Sequence, residues 1–147
     1  MTLLETIRLI EQVAAAQPSV NMIVENDIFK LNACPDALYG VFAFVQGQHS
    51  KSADSDFITY NFSLFYVDRL KADKSNQLEV QSVAAQTLGN ILRTIDEYYL
   101  EVADYTLQPF NQRFSDECAG MYASVSLQAL DSPCGETFND NNNIKII

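Results

Sequence analysis

The chain has little of what most catalytic sites use. It contains no tryptophan, three cysteines and a single histidine in 147 residues. That histidine, His49, lies in a polar stretch where nothing predicts an enclosing pocket, and Ser-His-Asp or Cys-His schemes would all have to use it. No GxGxxG, Walker, HExxH or EF-hand pattern occurs. We therefore predict no catalytic residue, no metal site and no cofactor.

The three cysteines give no metal or disulfide pattern. Cys34, Cys118 and Cys134 are widely spaced and form no CxxC pair, so neither a zinc site nor a disulfide scaffold is predicted. We expect reduced thiols, with Cys118 as a small core residue next to an alternating strand. A bridge between Cys118 and Cys134 stays open as an alternative.

Basic residues and long apolar runs are both scarce. Nine Lys and Arg stand against nineteen Asp and Glu, which gives a formal charge of −10. This charge repels nucleic-acid phosphates and acidic membranes, so sequence-specific DNA binding is disfavoured. No apolar run approaches the roughly 20 residues of a membrane span, and the start of the chain does not predict a secretory signal. The acidity suits a pore that DNA slides through, or solubility alone.

Alternation of apolar and polar residues predicts the strands. It is clearest at 57–67 and 121–129. The β-rich run 38–45 predicts another strand, and 20–24 and 28–31 predict two short strands joined by a turn. A strand at 105–110 is interrupted near Pro109, which favours the edge of a sheet.

Three- and four-residue spacing predicts two helices. Leu3, Ile7 and Ile10 begin the first, which ends before Pro18. The second runs from Asn76 to Leu100, with a capping box of Asn76 and Glu79 at its start and Gly89 as a close contact with the sheet. The order of helix, strands, long helix and strands predicts an α+β domain over 1–138, with both helices on one face of an antiparallel sheet.

The polar loop 46–56 is predicted to be a mobile contact surface. It is longer than a hairpin between strands 38–45 and 57–67 requires. Its candidate interface residues are Gln48, His49, Lys51, Asp54 and Asp56. The two aspartates are spaced as in some calcium loops, but the glycine and distal glutamate of such loops do not follow.

An Asn-rich arm, 139–147, is predicted after the domain. Its polar stretch is followed by Ile144, Ile146 and Ile147, which are unusual on a solvated tail. Such β-branched residues can add a strand to the exposed sheet edge of a neighbour. The alternative is a disordered tail.

Four acidic residues crowd the end of the long helix, where the helix dipole disfavours negative charge. We interpret this cluster as a channel-facing wall that repels DNA, a site for a cation or a surface for a basic partner. A solvated helix face is the alternative. The four residues are Asp96, Glu97, Glu101 and Asp104.

The segment Phe110–Tyr122, FNQRFSDECAGMY, resembles part of the tail-terminator and neck-completion proteins of tailed bacteriophages, including crAss-like phages of Bacteroides-type hosts. In those proteins a helix rich in Leu and Ile is followed by a strand, then by an Arg-Phe-x-Asp turn, and then by a Gly-aromatic pair that opens the final strand. The order of elements is similar over most of the chain. The resemblance implies a structural virion protein of the neck or tail, made in the host cytoplasm, with no catalytic residues.

The same resemblance implies its partners. Copies of the chain would form a ring around a channel through which DNA passes without sequence-specific binding, and the ring would contact portal, neck or tail proteins, with no membrane involved. Two other classes stay open. One is a monomeric acidic adaptor or inhibitor that binds a basic partner, and the other is an enzyme that uses carboxylates alone, since folding can bring distant acids together.

Overall fold

The computed structural model describes residues 1–34, 36–130 and 144–147. The predicted α+β class is confirmed, with both α-helices packed on one face of a sheet. The elements in chain order are α1 (Leu3–Ala15), β1 (Met22–Glu25), a 3-10 helix (Ile28–Ala33), β2 (Val41–Gln46), β3 (Ser50–Lys51), β4 (Phe57–Arg69), α2 (Gln77–Tyr98), β5 (Glu101–Val102), β6 (Gln108–Arg113), β7 (Glu117–Leu130) and β8 (Lys145–Ile146).

The described strands form an eight-stranded sheet in the order β5-β7-β4-β2-β1-β8, with β3 paired to β4 and β6 paired to β7. Its centre is a long antiparallel ribbon in which all 13 residues of β4 pair with β7, from Phe57 opposite Leu130 to Arg69 opposite Cys118. β2 is antiparallel to β4. β1 and β8 join in parallel, so one edge departs from the antiparallel pattern that the sequence predicted.

Alternation along β4 separates the two faces of the sheet. Every second side chain points to the helices and is buried, whereas the residues between them point to the opposite face. α1 and α2 cover this first face and complete the main core. Burial of each large side chain contributes about 1.5–3 kcal/mol, so this layer supplies most of the driving force for folding. Its large members include Leu9, Ile10, Phe42, Phe44, Phe62, Leu64, Tyr66, Leu88 and Ile91.

The opposite face is only half covered by the described residues. The 3-10 helix and the segment after it pack over one half, burying Met22, Val24, Ile28 and Leu31. A polar, uncharged row occupies the other half of the β4–β7 ribbon, where Ser126 Oγ donates to Asn61 Oδ1 at 2.5 Å. That row comprises Thr59, Asn61, Ser63, Ser124, Ser126 and Gln128.

The two helix starts use different chemistry. Thr2 and Glu5 form a capping box at α1, with the Glu5 amide donating to Thr2 Oγ1 (3.2 Å) and the Thr2 amide donating to Glu5 Oε2 (2.7 Å). α2 begins directly after Asn76, as predicted, but the predicted capping box is wrong. The Asn76 side chain instead accepts from the Lys71 amide at 2.9 Å and donates to the Arg69 carbonyl at 3.2 Å, so it fixes the preceding turn.

Two further predictions about local structure are wrong. Residues 28–31 form a 3-10 helix rather than a strand, because Asp27 Oδ1 accepts the Phe29 amide at 2.9 Å and starts a helical turn. Gly89 makes no close contact with the sheet, since a Cβ placed there would meet no atom within 4 Å. Pro109 does lie on an edge strand, β6, as predicted.

No helix among the described residues is both long and apolar enough to cross a membrane.

Candidate functional site

The described part of the chain brings no metal-binding group together. Within it, no three His, Cys, Asp or Glu side chains lie close enough to hold a metal ion. An open groove of about 880 Å³ lies where β4 ends and the turn to α2 begins, lined in part by Tyr39, Asp68, Arg69 and Lys71.

The reactive side chains beside this groove hold their protons. The Tyr39 hydroxyl donates to Asp116 Oδ2 at 3.0 Å, and the Arg69 guanidinium lies over the Tyr39 ring at 5.8 Å. Burial raises the pKa of the Cys118 thiol to about 11 and the pKa of the Tyr39 hydroxyl well above its usual range. Cys34 and Cys118 are both free and buried. The Cys118 thiol therefore stays protonated, packs as a small apolar residue and is a poor nucleophile.

His49 is held by the sheet rather than displayed on a mobile loop. Its Nδ1 accepts the Asn61 amide at 3.1 Å, and its Nε2 lies 3.0 Å from Gln46 Oε1. The imidazole also contacts the rings of Tyr60 and Phe62, with centroids 5.3 and 5.5 Å away. The loop was expected to be mobile, but these contacts and the pairing of β3 with β4 fix much of it.

The rest of the loop lies at one end of the ribbon. The Gln48 carbonyl accepts from Asn61 Nδ2 at 2.5 Å, which leaves its side chain in solvent. Lys51, Asp54 and Asp56 are exposed. An interface role for Gln48, Lys51, Asp54 and Asp56 stays a prediction, whereas the contacts of His49 give it a structural role.

The acidic cluster at the end of α2 shares that end of the molecule. β5 follows α2 and pairs with β7 at Leu127 and Gln128, opposite the start of β4 and therefore near the loop. All four predicted acids are exposed, and Asp96 Oδ1 also accepts the Val102 amide at 3.0 Å. Six acids distant in sequence thus gather at one end: Asp54, Asp56, Asp96, Glu97, Glu101 and Asp104.

The opposite end carries much of the positive charge. Four of the nine basic residues, Arg69, Lys71, Lys74 and Arg113, lie where β4 and β6 end and α2 begins. Acids accompany them, and Lys74 Nζ lies 3.4 Å from Glu117 Oε1. The described charges at this opposite end therefore nearly cancel, whereas acids clearly outnumber bases at the end that carries the loop and the α2 terminus. Sequence patterns showed the separate clusters but not this common placement.

The isoleucines of the predicted arm lie on the chain's own sheet. Ile144 and Ile146 pack against the core on the helix side, and Ile147 packs on the opposite face. The Glu25 amide donates to the Ile147 carbonyl at 3.0 Å, and the Ile147 amide donates to the Ile23 carbonyl at 3.2 Å. The Asn-rich part of the arm, 139–143, lies outside the described residues. Addition of this strand to a neighbour stays a prediction.

A buried carboxyl group beside β1 was missed by the sequence analysis. Glu11 on α1 is 1% exposed, and both of its oxygens lie 3.1 Å from Arg8 Nη1. The same nitrogen lies 3.0 Å from Glu25 Oε1 at the end of β1. Burial, followed by the hydrogen bond with Glu25, raises the pKa of Glu11 to about 8. An acid on the apolar face of a predicted helix, three residues after an arginine, was the available signal.

The surfaces with definite geometry are therefore the two sheet edges and the two differently charged ends. In comparisons with protein-family models and with curated proteins, the chain has no match.

Proposed function

We propose that the chain is a ring-forming structural subunit from the neck or tail of a tailed bacteriophage, acting as a tail terminator or head-tail connector around the DNA channel. Its partners would be copies of itself and adjacent portal, neck or tail proteins, and its location would be the virion after synthesis in the host cytoplasm. The observation that carries the proposal is a sheet whose two edges, β1–β8 and β5–β6, lie on opposite sides of one subunit.

Opposite edges support repeated contacts of a single kind. An exposed strand edge presents unpaired N–H and C=O groups and is a liability for a monomer. A contact between one edge of a copy and the other edge of the next is heterologous, and such contacts close into a ring when the rotation between copies permits. β6 suits such a contact, because it is largely exposed and pairs with β7 on one side only among the described strands.

The charge distribution supports a channel role for one end. Six exposed acids concentrated at one end would repel the phosphates of a passing duplex, so DNA would move past this surface without adhering. The acids would line the opening if subunits are arranged with this end towards the ring axis. Contacts with other virion proteins would then use the remaining surfaces.

The segment that carries the resemblance has a clear structural role. The turn between β6 and β7 buries Phe114, whose amide donates to the Asp116 carbonyl at 2.9 Å. Ser115 Oγ donates to the Leu31 carbonyl at 2.8 Å, which ties this turn to the 3-10 helix. Gly120 then lies against the backbone of Tyr66 on β4.

Mass measurement and imaging test the proposal. The purified chain should form a closed oligomer by light scattering, with a central opening in negative-stain electron micrographs. Because an assembly can require its partner, the same measurements should be made after co-expression with the products of neighbouring genes, which should encode portal, capsid and tail proteins. A monomer under both conditions, in a genome region without virion genes, would contradict the proposal.

The acidic end also favours a second candidate, a monomeric adaptor or inhibitor that binds a basic partner. Six clustered carboxylates would attract such a partner and accelerate its association. This candidate requires a stable monomer that forms a salt-sensitive complex of one chain with one partner. Oligomer mass in the absence of the partner separates the two functions.

A further inference from the structure

We infer that the groove at the end of β4 is a binding site for a small organic anion that carries a phosphate or carboxylate group together with a hydroxyl group. The groove has a volume of about 880 Å³. Its walls come from residues 37–39, which precede β2, and from residues 68–72, where β4 passes into the turn before α2. Sites for small molecules have volumes of roughly 300–1,000 Å³. The inference is independent of the proposed ring, because the site belongs to a single subunit.

Arg69 presents its donors to the groove in a restricted orientation. Its guanidinium lies over the Tyr39 ring, 5.8 Å from the centroid, and the Tyr39 hydroxyl donates to Asp116 Oδ2 at 3.0 Å. Contact with the ring uses the face of the guanidinium and leaves the N–H groups at its edge free to donate. In the described part of the chain, this guanidinium forms no hydrogen bond or ion pair. Phosphate and carboxylate groups are the acceptors that match two parallel guanidinium N–H donors.

Lys71 adds a second cation to the same groove. It is exposed, and among the described residues it forms no ion pair. The nearby Asp73 is bonded elsewhere, since its Oδ1 accepts the Ser75 amide at 3.1 Å. Other basic residues do have carboxylate partners, namely Arg8, Lys74 and Lys145. Because acids outnumber bases nineteen to nine, two cations without a carboxylate in one concave surface are well placed to bind an anion from solution.

Asp68 restricts which anions fit. It lines the groove together with the two cations, and its Oδ1 accepts the Arg69 amide at 2.7 Å. A carboxylate repels an anionic group that approaches it but accepts a hydrogen bond from a hydroxyl group. We therefore place the anionic group of the ligand at Arg69 and Lys71 and its hydroxyl group at Asp68. The exposed Leu38 side chain offers an apolar contact for the carbon skeleton between them.

Two side-chain amides hold the walls of the groove in place. The Asn76 side chain accepts from the Lys71 amide at 2.9 Å and donates to the Arg69 carbonyl at 3.2 Å. On the other wall, Asn21 Nδ2 donates to the Tyr39 carbonyl at 2.8 Å. The backbone at all three binding positions is thus fixed before a ligand arrives, which lowers the entropic cost of binding.

Nuclear magnetic resonance titration of the full-length, ¹⁵N-labelled chain tests the inference. The ligands are glycerol phosphate, glycerate and inorganic phosphate, with sodium chloride at matched ionic strength as the reference. We expect saturable shifts of the Tyr39, Arg69 and Lys71 amide signals and of the Arg69 Nε–H signal with glycerol phosphate, glycerate or both. Inorganic phosphate should bind more weakly, because it has no carbon skeleton or alcohol group to place at Leu38 and Asp68.

Variants of the two cations separate a built site from general surface charge. Arg69→Gln and Lys71→Gln should each weaken binding about tenfold or more, because each removes a charged donor. Arg69→Lys should restore little, since it keeps the charge but loses the planar pair of donors. The control is Arg113→Gln, which removes one charge at the same end of the molecule from a residue outside the groove. All three positions are exposed, and the amide spectrum of each variant shows whether the fold is kept.

Each outcome decides the inference. Saturation by glycerol phosphate alone assigns the site to phosphate compounds, saturation by glycerate alone assigns it to carboxylates, and saturation by both supports a site for either. Shifts no larger than those with chloride overturn the inference, as does equal weakening by Arg113→Gln and Arg69→Gln. Tighter binding of inorganic phosphate than of glycerol phosphate would overturn the role given to Asp68. No outcome depends on oligomer mass, so the ring and the groove are tested separately.

Discussion

Arg8 on α1 lies 3.0 Å from the carboxylate of Glu25 at the end of β1, and the same guanidinium nitrogen contacts both oxygens of buried Glu11. The Arg8 guanidinium therefore contacts two carboxyl groups. Its single positive charge is balanced by one carboxylate when Glu11 keeps its proton. This arrangement attaches the first helix to the strand whose edge receives β8. It also makes the attachment sensitive to pH.

We expect stability to fall as pH rises from about 4.5 to about 8. The pKa of Glu11 is raised from 4.5 to about 8 in the folded chain, so the folded state binds a proton that the unfolded chain releases in this window. The contribution is complete below the unfolded pKa and is lost as pH rises through the folded pKa, with a slope of at most about 1.4 kcal/mol per pH unit. Urea unfolding at pH 5, 6.5 and 8 measures it.

Glu11→Gln isolates this effect, because a neutral amide can replace the protonated carboxyl group. Burial also raises the pKa of Asp68, which contributes a dependence of the same sign that the variant keeps. The variant should therefore lose part of the pH dependence and gain stability relative to the parent at pH 8. Equal slopes for variant and parent would show that Glu11 does not hold the proton.

Gly89→Ala should stabilise the chain by about 1 kcal/mol, because alanine favours a helix interior and the added methyl group meets no atom within 4 Å. Chemical unfolding at neutral pH measures the change. A loss of stability would show that the sequence-based interpretation of Gly89 as a close contact was right after all.

Gly120→Ala should destabilise the chain by about 2–4 kcal/mol. A Cβ at this position would overlap the carbonyl oxygen of Tyr66, which belongs to the backbone of the central ribbon and has little freedom to move. The same chemical change at Gly89 is the matched control, since both variants add one methyl group. Similar unfolding midpoints for the two variants would contradict the packing described here.

Reversing charge at the acidic end should create DNA binding without reducing assembly. Glu97→Lys with Glu101→Lys removes repulsion from the surface proposed to face the channel, and duplex retention should rise and then fall with added salt. The comparison variant is Glu97→Gln with Glu101→Gln, which removes the same repulsion without adding positive charge, so duplex retention should rise less. No rise in retention with either double variant would contradict a DNA-repelling role for the acidic end.

Lys51→Asp should lower the oligomer mass, because it changes an exposed residue of the proposed contact loop. His49→Ala should instead lower the unfolding midpoint, since the imidazole accepts the Asn61 amide and contacts two core aromatic rings. Light scattering and thermal unfolding are measured on both variants. If His49→Ala lost assembly without losing stability, His49 would be an interface residue, as the sequence predicted, and not a structural one.

Patterns of apolar and polar residues within short stretches of sequence were sufficient to predict the main strands and helices. The alternation at 57–67 and 121–129 predicted β4 and β7, and the spacing of apolar residues predicted α1 and α2 to within a few residues. These segments each bury one side, so the period of the apolar residues follows directly from the local geometry. The start of α2 at Asn76 was also predicted from a local pattern. The Asn76 side chain, however, bonds to the backbone of Lys71 and Arg69 instead of capping the helix.

Features that depend on distant partners could not be predicted. Parallel pairing of β1 with β2 and β8 is set by topology, and nothing near Met22 specifies it. Ile28 and Leu31 suit either a strand or a helical turn, and the bond from Phe29 to Asp27 decided between them. The common end shared by the loop acids and the α2 acids likewise follows from the direction in which α2 crosses the sheet.

The order of the strands has a consequence for synthesis. A ribosome makes β1 early and β8 last among the described elements, at roughly 5–20 residues per second. Every nascent chain therefore passes through a stage in which most of the sheet can form while the outer side of β1 has no strand from its own polypeptide. Until residues 144–147 have been made, β1 is therefore an open edge whose backbone groups and apolar side chains lack the strand that covers them in the folded chain.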